Sequence, residues 1–182
     1  MHTHIHKLVL TGLLLAAVML AMWPVSAQGD GPTEGAAQPG VDQLAFASDI
    51  DGDWDIYIMN ADGSNLRAVT NNFANDFRPT WSPDGRYLAF QSDRDGDLDL
   101  YRIDLTTGLE TPLTFNSVSD AHPAWSPDGA RIAYQSNQDG DFELFIMNAD
   151  GTNPIQMTIK TVQDRYPAWS PDSTRLVFFF YD

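Results

Sequence analysis

Trp-Ser-Pro-Asp-Gly at positions 81–85 returns at positions 125–129, and the near copy Trp-Ser-Pro-Asp-Ser follows at 169–173. Each tryptophan therefore stands 44 residues after the one before it. A second motif, a serine followed by an acidic segment with a central glycine, keeps the same period and begins at Ser48, Ser92 and Ser136. Self-similarity at one fixed period of this length indicates a protein built from structural repeats.

Every segment within one period is typical of a β-strand or a turn. In the second repeat, the predicted strands are Pro79–Trp81, Arg86–Ser92, Leu98–Leu105 and Glu110–Thr114. The Ser-Pro-Asp-Gly segment between the first two strands holds the proline and the glycine that tight turns favour. We therefore expect four antiparallel strands in each repeat.

The third strand of the first repeat indicates how the sheets pack. Trp54, Ile56 and Ile58 point to one face, and Tyr57 and Met59 point to the other, so both faces are largely apolar. A sheet that is buried on both faces needs a neighbour on each side. Four-stranded sheets repeated about every 40 to 45 residues are the signature of propeller blades. The predicted fold class is all-β: a β-propeller segment of four-stranded antiparallel blades, with about three 44-residue repeats plus partial ends.

The repeat resembles that of the TolB-like, WD40-like (PD40) β-propeller family from about Leu44 to the C-terminus. The shared pattern is Pro-x-Trp-Ser-Pro-Asp-Gly, an apolar strand ending in Ser, an Asp-Gly turn, an acid-Ile-Tyr strand and an Asn-Ala-Asp-Gly turn. Such repeats are similar to the periplasmic TolB propeller, a protein-interaction part of a cell-envelope complex, and to propellers that precede serine peptidase domains. The sequence has no room for the N-terminal α/β domain of TolB and no Gly-x-Ser-x-Gly motif. The resemblance therefore implies a propeller fold and a binding role, and not TolB itself.

Three segments are expected along the chain. Residues 1–27 resemble a signal peptide, because an apolar run of 16 residues at Leu8–Trp23 precedes the small-residue ending Val25-Ser26-Ala27. The run is shorter than the roughly 20 residues of a membrane span, although an uncleaved anchor is the alternative. Residues 28–40 form a Gly/Pro/Ala linker, and residues 41–182 hold the repeats. We therefore expect export to the periplasm or the extracellular space, with no membrane span after cleavage.

Composition narrows the function. The chain has 25 acidic and 10 basic side chains and a net charge of -15, which disfavours nucleic acid as a partner. It has no cysteine, so thiolate metal sites are excluded. His122 is the one histidine after position 27, and no serine stands in an activating context. The sequence predicts a protein that is not an enzyme.

The loops that lead into the first strand of each blade are candidate binding surfaces. Asp76, Asp120 and Asp164 recur there one period apart, while the side chains that follow them vary. Loops at one end of a propeller commonly carry function. The candidates for contact with a protein partner or small ligand are Phe77, Arg78, His122, Arg165 and Tyr166. The alternative is that these positions vary because nothing constrains them.

The acidic hairpins resemble the opening half of a calcium loop, because acidic residues occupy alternate positions around a glycine. The alternating pattern comprises Asp49, Asp51, Asp53 and Asp55 around Gly52, and Asp93, Asp95, Asp97 and Asp99 repeat it. The candidate ligands are Asp49, Asp51, Asp53, Asp93, Asp95 and Asp97, with Asn137, Asp139, Asp141 and Glu143 as a weaker third set. The remaining parts of an EF-hand pattern are missing, so a solvated Asp-Gly hairpin turn is the alternative. No cofactor other than calcium is expected.

The predicted strands do not complete a ring. The first repeat lacks its Trp-Ser-Pro-Asp-Gly strand and the last stops after its second strand, which leaves thirteen strands and two open edges. A head-to-tail homodimer, in which the two C-terminal strands of one chain complete the first blade of the other, would close a six-bladed ring. One strand is surplus in that scheme, because Leu176–Phe180 and Leu44–Ser48 compete for one position. The sequence thus predicts an exported, non-catalytic β-propeller that acts as a protein-binding or ligand-binding scaffold. The alternative is the propeller portion of a larger protein, such as a serine peptidase, that lacks its catalytic domain.

Overall fold

The structure, a computed structural model, describes residues 42–159 and 163–181. These ranges form thirteen strands and no helix. The strands are β1 (Gln43–Ser48), β2 (Asp55–Asn60), β3 (Arg67–Ala68), β4 (Asp76–Trp81), β5 (Tyr87–Ser92), β6 (Asp99–Asp104), β7 (Glu110–Pro112), β8 (Asp120–Trp125), β9 (Arg131–Ser136), β10 (Glu143–Asn148), β11 (Ile155–Gln156), β12 (Gln163–Trp169) and β13 (Leu176–Tyr181). The predicted signal peptide and linker lie outside the described residues. Within the described ranges, no helix could cross a membrane.

The strands form four antiparallel sheets in chain order, here called blades 1 to 4. Blade 1 contains β1–β3, blade 2 contains β4–β7, blade 3 contains β8–β11, and blade 4 contains β12 and β13. The two complete blades confirm the predicted four-stranded antiparallel unit. No strand of blade 1 contacts a strand of blade 4 within the described ranges, so the sheets do not close into a ring there.

The first strand of each complete blade is longer than predicted. β4 begins at Asp76, and not at Pro79, because its pairing with β5 continues across an irregularity between Phe77 and Thr80. Arg78 has a φ of 56° in that irregularity, which places one extra residue in β4 and bends the strand. The candidate residues Phe77 and Arg78 therefore lie in a strand, and not in a loop.

The Trp-Ser-Pro-Asp-Gly motif forms the turn between the first and second strands. In blade 2, the Ser82 hydroxyl donates to Asp84 Oδ1 at 2.5 Å and accepts the Tyr87 N–H at 2.8 Å. The Arg86 N–H donates to the same Asp84 oxygen at 3.1 Å, and Gly85 takes a φ of 68°. The motif recurs because each of its polar side chains satisfies backbone or hydroxyl groups of a tight turn.

Apolar side chains fill the space between neighbouring blades. Ile56 and Ile58 of β2 pack with Leu88 and Phe90 of β5 between blades 1 and 2, and Trp81 lies against them. A second cluster lies between blades 2 and 3 and contains Ala89, Leu100, Leu113, Ile132, Tyr134, Phe145 and Met147, with Trp125 packed against it. Burial of both faces is confirmed for Ile56 and Ile58 on one side of β2 and Tyr57 on the other, whereas Trp54 lies before the strand and is 38% exposed.

Backbone hydrogen bonds also join the blades at one repeated position. The N–H of Asp76 donates to the carbonyl of Trp54 at 2.6 Å, so the start of β4 is attached to the β1–β2 hairpin. The N–H of Asp120 donates to Leu98 O at 2.6 Å, and that of Asp164 donates to Phe142 O at 2.7 Å. The recurring aspartate therefore marks where each blade joins the hairpin of the preceding blade.

Candidate ligand-binding site on the inner strands

Residues from the first strands of blades 2, 3 and 4 line a cavity of about 310 Å³, here called the inner-strand pocket. Its lining is Arg78, Pro79, Thr80, His122, Pro123, Tyr166 and Pro167. Arg78, His122 and Tyr166 occupy the same position in three successive repeats. The structure thus brings together three of the five residues that the sequence suggested for ligand contact.

A left-handed backbone conformation positions these three side chains. The φ angles of Arg78, His122 and Tyr166 are 56°, 56° and 57°. Side chains other than those of glycine, asparagine and aspartate seldom adopt this conformation, so surrounding contacts must hold it.

Two buried glutamines supply those contacts. Gln91 Oε1 accepts the His122 N–H at 3.0 Å, and Gln135 Oε1 accepts the Tyr166 N–H at 3.1 Å. Each glutamine belongs to the second strand of the blade before the one that it contacts. Sequence reasoning missed this role, although the Gln-Ser pair at 91–92 and 135–136 recurs one period apart. Ala47 stands at the equivalent position in blade 1, so the Arg78 N–H lacks such a side-chain acceptor.

His122 is the most enclosed titratable group of the pocket. Its ring meets that of Tyr166 edge to face, with 4.5 Å between the ring centroids. Both imidazole nitrogens are buried without a hydrogen-bond partner. Burial, and after it the charges of Arg78 and Arg165, lowers the pKa of His122 to about 4. The ring is therefore neutral at pH 7, and its donor and acceptor nitrogens are covered by neighbouring protein atoms.

Phe77 and Arg165 lie outside the lining of the pocket. The Phe77 ring packs against Trp54 with 5.3 Å between centroids. The Arg165 guanidinium lies 4.3 Å from the centre of the Phe142 ring, and its Nη2 donates to Gln163 Oε1 at 2.5 Å. Both side chains face the hairpin of the preceding blade. The bulge turns the position of Phe77 and Arg165 towards the interface between blades, and it turns the following position, that of Arg78 and Tyr166, towards the pocket.

The acidic hairpins form clusters whose membership differs from the prediction. Carboxylate oxygens lie within 4.8 Å of one another in three groups: Asp51, Asp53 and Asp55; Asp95, Asp97 and Asp99; and Asp139, Asp141 and Glu143. Asp49 and Asp93 lie outside these groups. Asp93 instead accepts the N–H and the side-chain amide of Asn75, both at 2.7 Å, and so anchors the loop before β4. The buried acid that begins the third strand, Asp55 or Asp99, completes each of the first two groups.

Stacked four-stranded antiparallel sheets with their first strands around a shared cavity define a β-propeller. The chain belongs to the TolB beta propeller domain family (PD40), whose profile matches residues 28–179. No curated protein matches the sequence significantly.

Solved structures share the fold. A protein assigned as TolB from Agrobacterium tumefaciens is 30% identical, with a TM-score of 0.73 over 78% of this chain and 51% of that protein. TolB from Acinetobacter baumannii is 22% identical, with a TM-score of 0.66 over 75% of this chain and 35% of that protein. A puromycin-hydrolyzing peptidase from Mycobacterium tuberculosis is 16% identical, with a TM-score of 0.59 over 79% of this chain and 27% of that protein. The chain therefore spans about half the length of the first of these proteins and less of the others.

Proposed function

We propose that this chain is an exported, non-catalytic β-propeller that binds a protein partner or a small ligand in the cell envelope or outside the cell. One observation carries the proposal: Arg78, His122 and Tyr166, from three different blades, line one cavity. The positions around them repeat, as Asp76, Asp120 and Asp164 do, whereas these three differ in chemistry. A repeated scaffold with varied side chains at a shared cavity suits recognition.

The pocket chemistry favours a ligand group that carries a carboxylate. Arg78 supplies a cationic donor, and Tyr166 and the neutral His122 ring add aromatic surface. A cavity of about 310 Å³ fits a single side chain or the end of a peptide. An acidic side chain or C-terminus of a partner protein would meet these requirements. Export rests on the signal-peptide pattern of residues 1–27.

A second candidate is the propeller portion of a larger hydrolase. The similarity to the Mycobacterium tuberculosis peptidase over 79% of this chain favours it, although 16% identity supports the fold alone. In that case the inner-strand pocket would face a catalytic domain of the same polypeptide.

Site-specific crosslinking tests both candidates. A photoreactive phenylalanine analogue at Tyr166, which is 37% exposed, should capture one dominant species in the source organism. Arg78→Ala should reduce that capture at least fivefold, and the same probe at the exposed Thr107 of blade 2 is the control. Capture of a separate protein or small molecule supports the scaffold, and an intramolecular link to a hydrolase domain supports the alternative. Equal capture from both positions contradicts a role of the pocket.

We also propose that two chains close a six-bladed ring head to tail. The described part of blade 1 has no first strand and that of blade 4 has two strands, so unpaired edges remain on both. In the joined blade β1 and β13 compete for the second-strand position, so one strand is surplus. The edge strand β13 also exposes apolar side chains: Val177 is 66% and Phe179 65% exposed.

Light scattering of the chain from Gln28 onward tests this closure. Twice the monomer mass is expected, and Val177→Lys should shift the chain towards monomer. Leu109→Lys, at a position equally exposed at 66% on the outer side of blade 2, should leave the dimer intact. A stable wild-type monomer would refute the dimer, and a monomer that aggregates would favour a larger propeller.

A further inference from the structure

Four aspartates lie near the junction of blades 2 and 3: three of them form one carboxylate cluster, and the fourth, Asp120, interacts electrostatically with Asp97 and Asp99 of that cluster. Asp95, Asp97 and Asp99 belong to the β5–β6 hairpin and place carboxylate oxygens within 4.8 Å of one another. Asp120 begins β8, and its N–H donates to Leu98 O in the middle of that hairpin at 2.6 Å. This group is here called the interblade cluster, because its members come from two blades.

Three carboxylate oxygens of the interblade cluster are buried without a hydrogen-bond partner: Asp97 Oδ2, Asp99 Oδ2 and Asp120 Oδ1. Asp99 is 0% and Asp120 2% exposed. The second oxygen of each is fixed, since Thr114 Oγ1 donates to Asp99 Oδ1 and Asn116 Nδ2 donates to Asp120 Oδ2, both at 2.7 Å. Each of these two carboxylates is thus held by one oxygen, and the other accepts no well-formed hydrogen bond from the described residues. The side chains of Ser136 and Thr114 lie near Asp120, and that of Asp95 lies near Asp99. Buried charges normally pair or coordinate a metal.

No basic side chain among the described residues forms a salt bridge with this cluster. The neighbouring Arg94 pairs with Asp76 at 3.3 Å and with Glu110 at 2.5 Å. The cluster therefore concentrates negative charge in a poorly solvated place.

The interface between blades 1 and 2 has the same arrangement of aspartates, but there an arginine side chain provides a positive charge. Asp76 is the counterpart of Asp120, and the Arg94 guanidinium lies beside it. Among the described carboxylates at this interface, those of Asp51, Asp53, Asp55 and Asp76, one oxygen, Asp55 Oδ2, is buried without a hydrogen-bond partner. One period after Arg94 stands Gln138, which carries no charge. The guanidinium of Arg94 therefore provides a positive charge at the interface between blades 1 and 2, and Gln138 provides none at the interface between blades 2 and 3.

We propose that the interblade cluster binds one divalent cation of the calcium class, with the carboxylates of Asp95, Asp97, Asp99 and Asp120 as ligands. The donor set is oxygen only, which selects hard cations over zinc or copper. Calcium accepts irregular sets of six to eight oxygens, whereas magnesium demands near-octahedral geometry and gives up its waters reluctantly. The ion joins blade 2 to blade 3, so binding stabilises their interface. This proposal does not depend on the function of the inner-strand pocket.

Calorimetric titration of the chelator-treated chain with calcium chloride tests the proposal. One site per chain and a melting temperature that rises with calcium are expected, with weaker binding of magnesium. Asp99→Asn should raise the Kd at least tenfold. Asp49→Asn, an exposed aspartate of a homologous hairpin that lies outside any cluster, should leave the Kd within twofold.

Gln138→Arg provides a variant that keeps every proposed ligand. A cavity of about 480 Å³ lined by Asp120, Gln138 and Phe145 offers room for the longer side chain. The new guanidinium should pair with Asp120 as Arg94 pairs with Asp76, raise the melting temperature of the calcium-free chain, and weaken calcium binding at least tenfold. No binding to a folded wild-type chain, or unchanged binding by both Asp99→Asn and Gln138→Arg, would overturn the proposal.

Discussion

The two interfaces that flank blade 2 share one frame and differ in a few side chains. Both bury apolar clusters, and both attach a first-strand aspartate to the preceding hairpin through its backbone N–H. At the first interface, Arg94 neutralises Asp76 and Ala47 leaves the bulge without a glutamine. At the second, Gln138 leaves Asp120 uncompensated and Gln91 holds the His122 bulge. The repeat therefore fixes the fold, and the departures from it locate the candidate sites.

A substitution in the apolar core between blades should have the largest effect on the free energy of unfolding, and that effect should not depend on calcium. Phe90→Ala removes a fully buried ring between blades 1 and 2, and we expect the free energy of unfolding to fall by about 3–5 kcal/mol. Chemical denaturation with and without calcium should give the same loss. Phe115→Ala, at a position that is 79% exposed, is the control and should change it by less than about 0.5 kcal/mol. If the loss of stability in Phe90→Ala depended on calcium, the apolar core and the proposed calcium site would be energetically coupled, contrary to this prediction.

Removing the fixed cation should convert the first interface into a copy of the second. Arg94→Gln leaves the buried Asp76 carboxylate without its charged partner, which should lower the free energy of unfolding by about 2 kcal/mol without calcium. Calcium should recover most of that loss, and calorimetry should show a second site. Arg86→Gln breaks the more exposed pair with Asp104 and should have a smaller, calcium-independent effect.

The glutamine contact should be transferable between blades. Gln135→Leu leaves the Tyr166 N–H without its acceptor and should cost about 1–2 kcal/mol in denaturant unfolding. Ala47→Gln places an acceptor at the position from which Gln91 reaches His122, and should stabilise the chain by about 0.5–1 kcal/mol. If Ala47→Gln stabilises an Arg78→Ala chain by the same amount, the introduced glutamine acts on the backbone N–H of residue 78 and not on the arginine side chain. Destabilisation by Ala47→Gln would show that the interfaces differ in shape.

His122 should give the smallest effect, seen as a pH dependence of stability. Its pKa is about 4 in the folded chain and 6.5 in the unfolded one, so the unfolded chain takes up the proton first as the pH falls. The stability that a neutral His122 contributes is fully present above about pH 6.5 and is lost progressively as the pH falls towards 4. Melting temperatures measured across this window should fall less for His122→Phe than for wild type. If the melting temperatures of the two proteins fell equally with pH, a group other than His122 would be responsible for the pH dependence.

The sequence predicted the period, the four strands per blade, the turns and the burial of both faces of the third strand, because these features recur in residue type. It did not predict the bulge, since Arg78, His122 and Tyr166 carry no compositional sign of a left-handed φ.

The acidic hairpins were predicted as runs of alternate positions, and the structure brings the later members of each run together. Alternate spacing suggested Asp49 and Asp93, but both begin the hairpin turn, where the Asp93 carbonyl accepts the Gly96 N–H at 3.1 Å. Each of the first two clusters includes the buried acid at the start of the next strand, Asp55 or Asp99, which belongs to the same alternating pattern. Asp120 comes from a neighbouring blade, and spacing within one hairpin cannot reveal such a ligand.

A crystal structure of the wild-type chain grown with calcium chloride tests the central claim most directly, because it compares the two interfaces in one molecule. We predict one ion between blades 2 and 3, bound to the carboxylates of Asp95, Asp97, Asp99 and Asp120, and none beside Arg94. An ion at both interfaces, an ion only beside Arg94, or no ion with Asp99 and Asp120 still unpartnered would contradict the account.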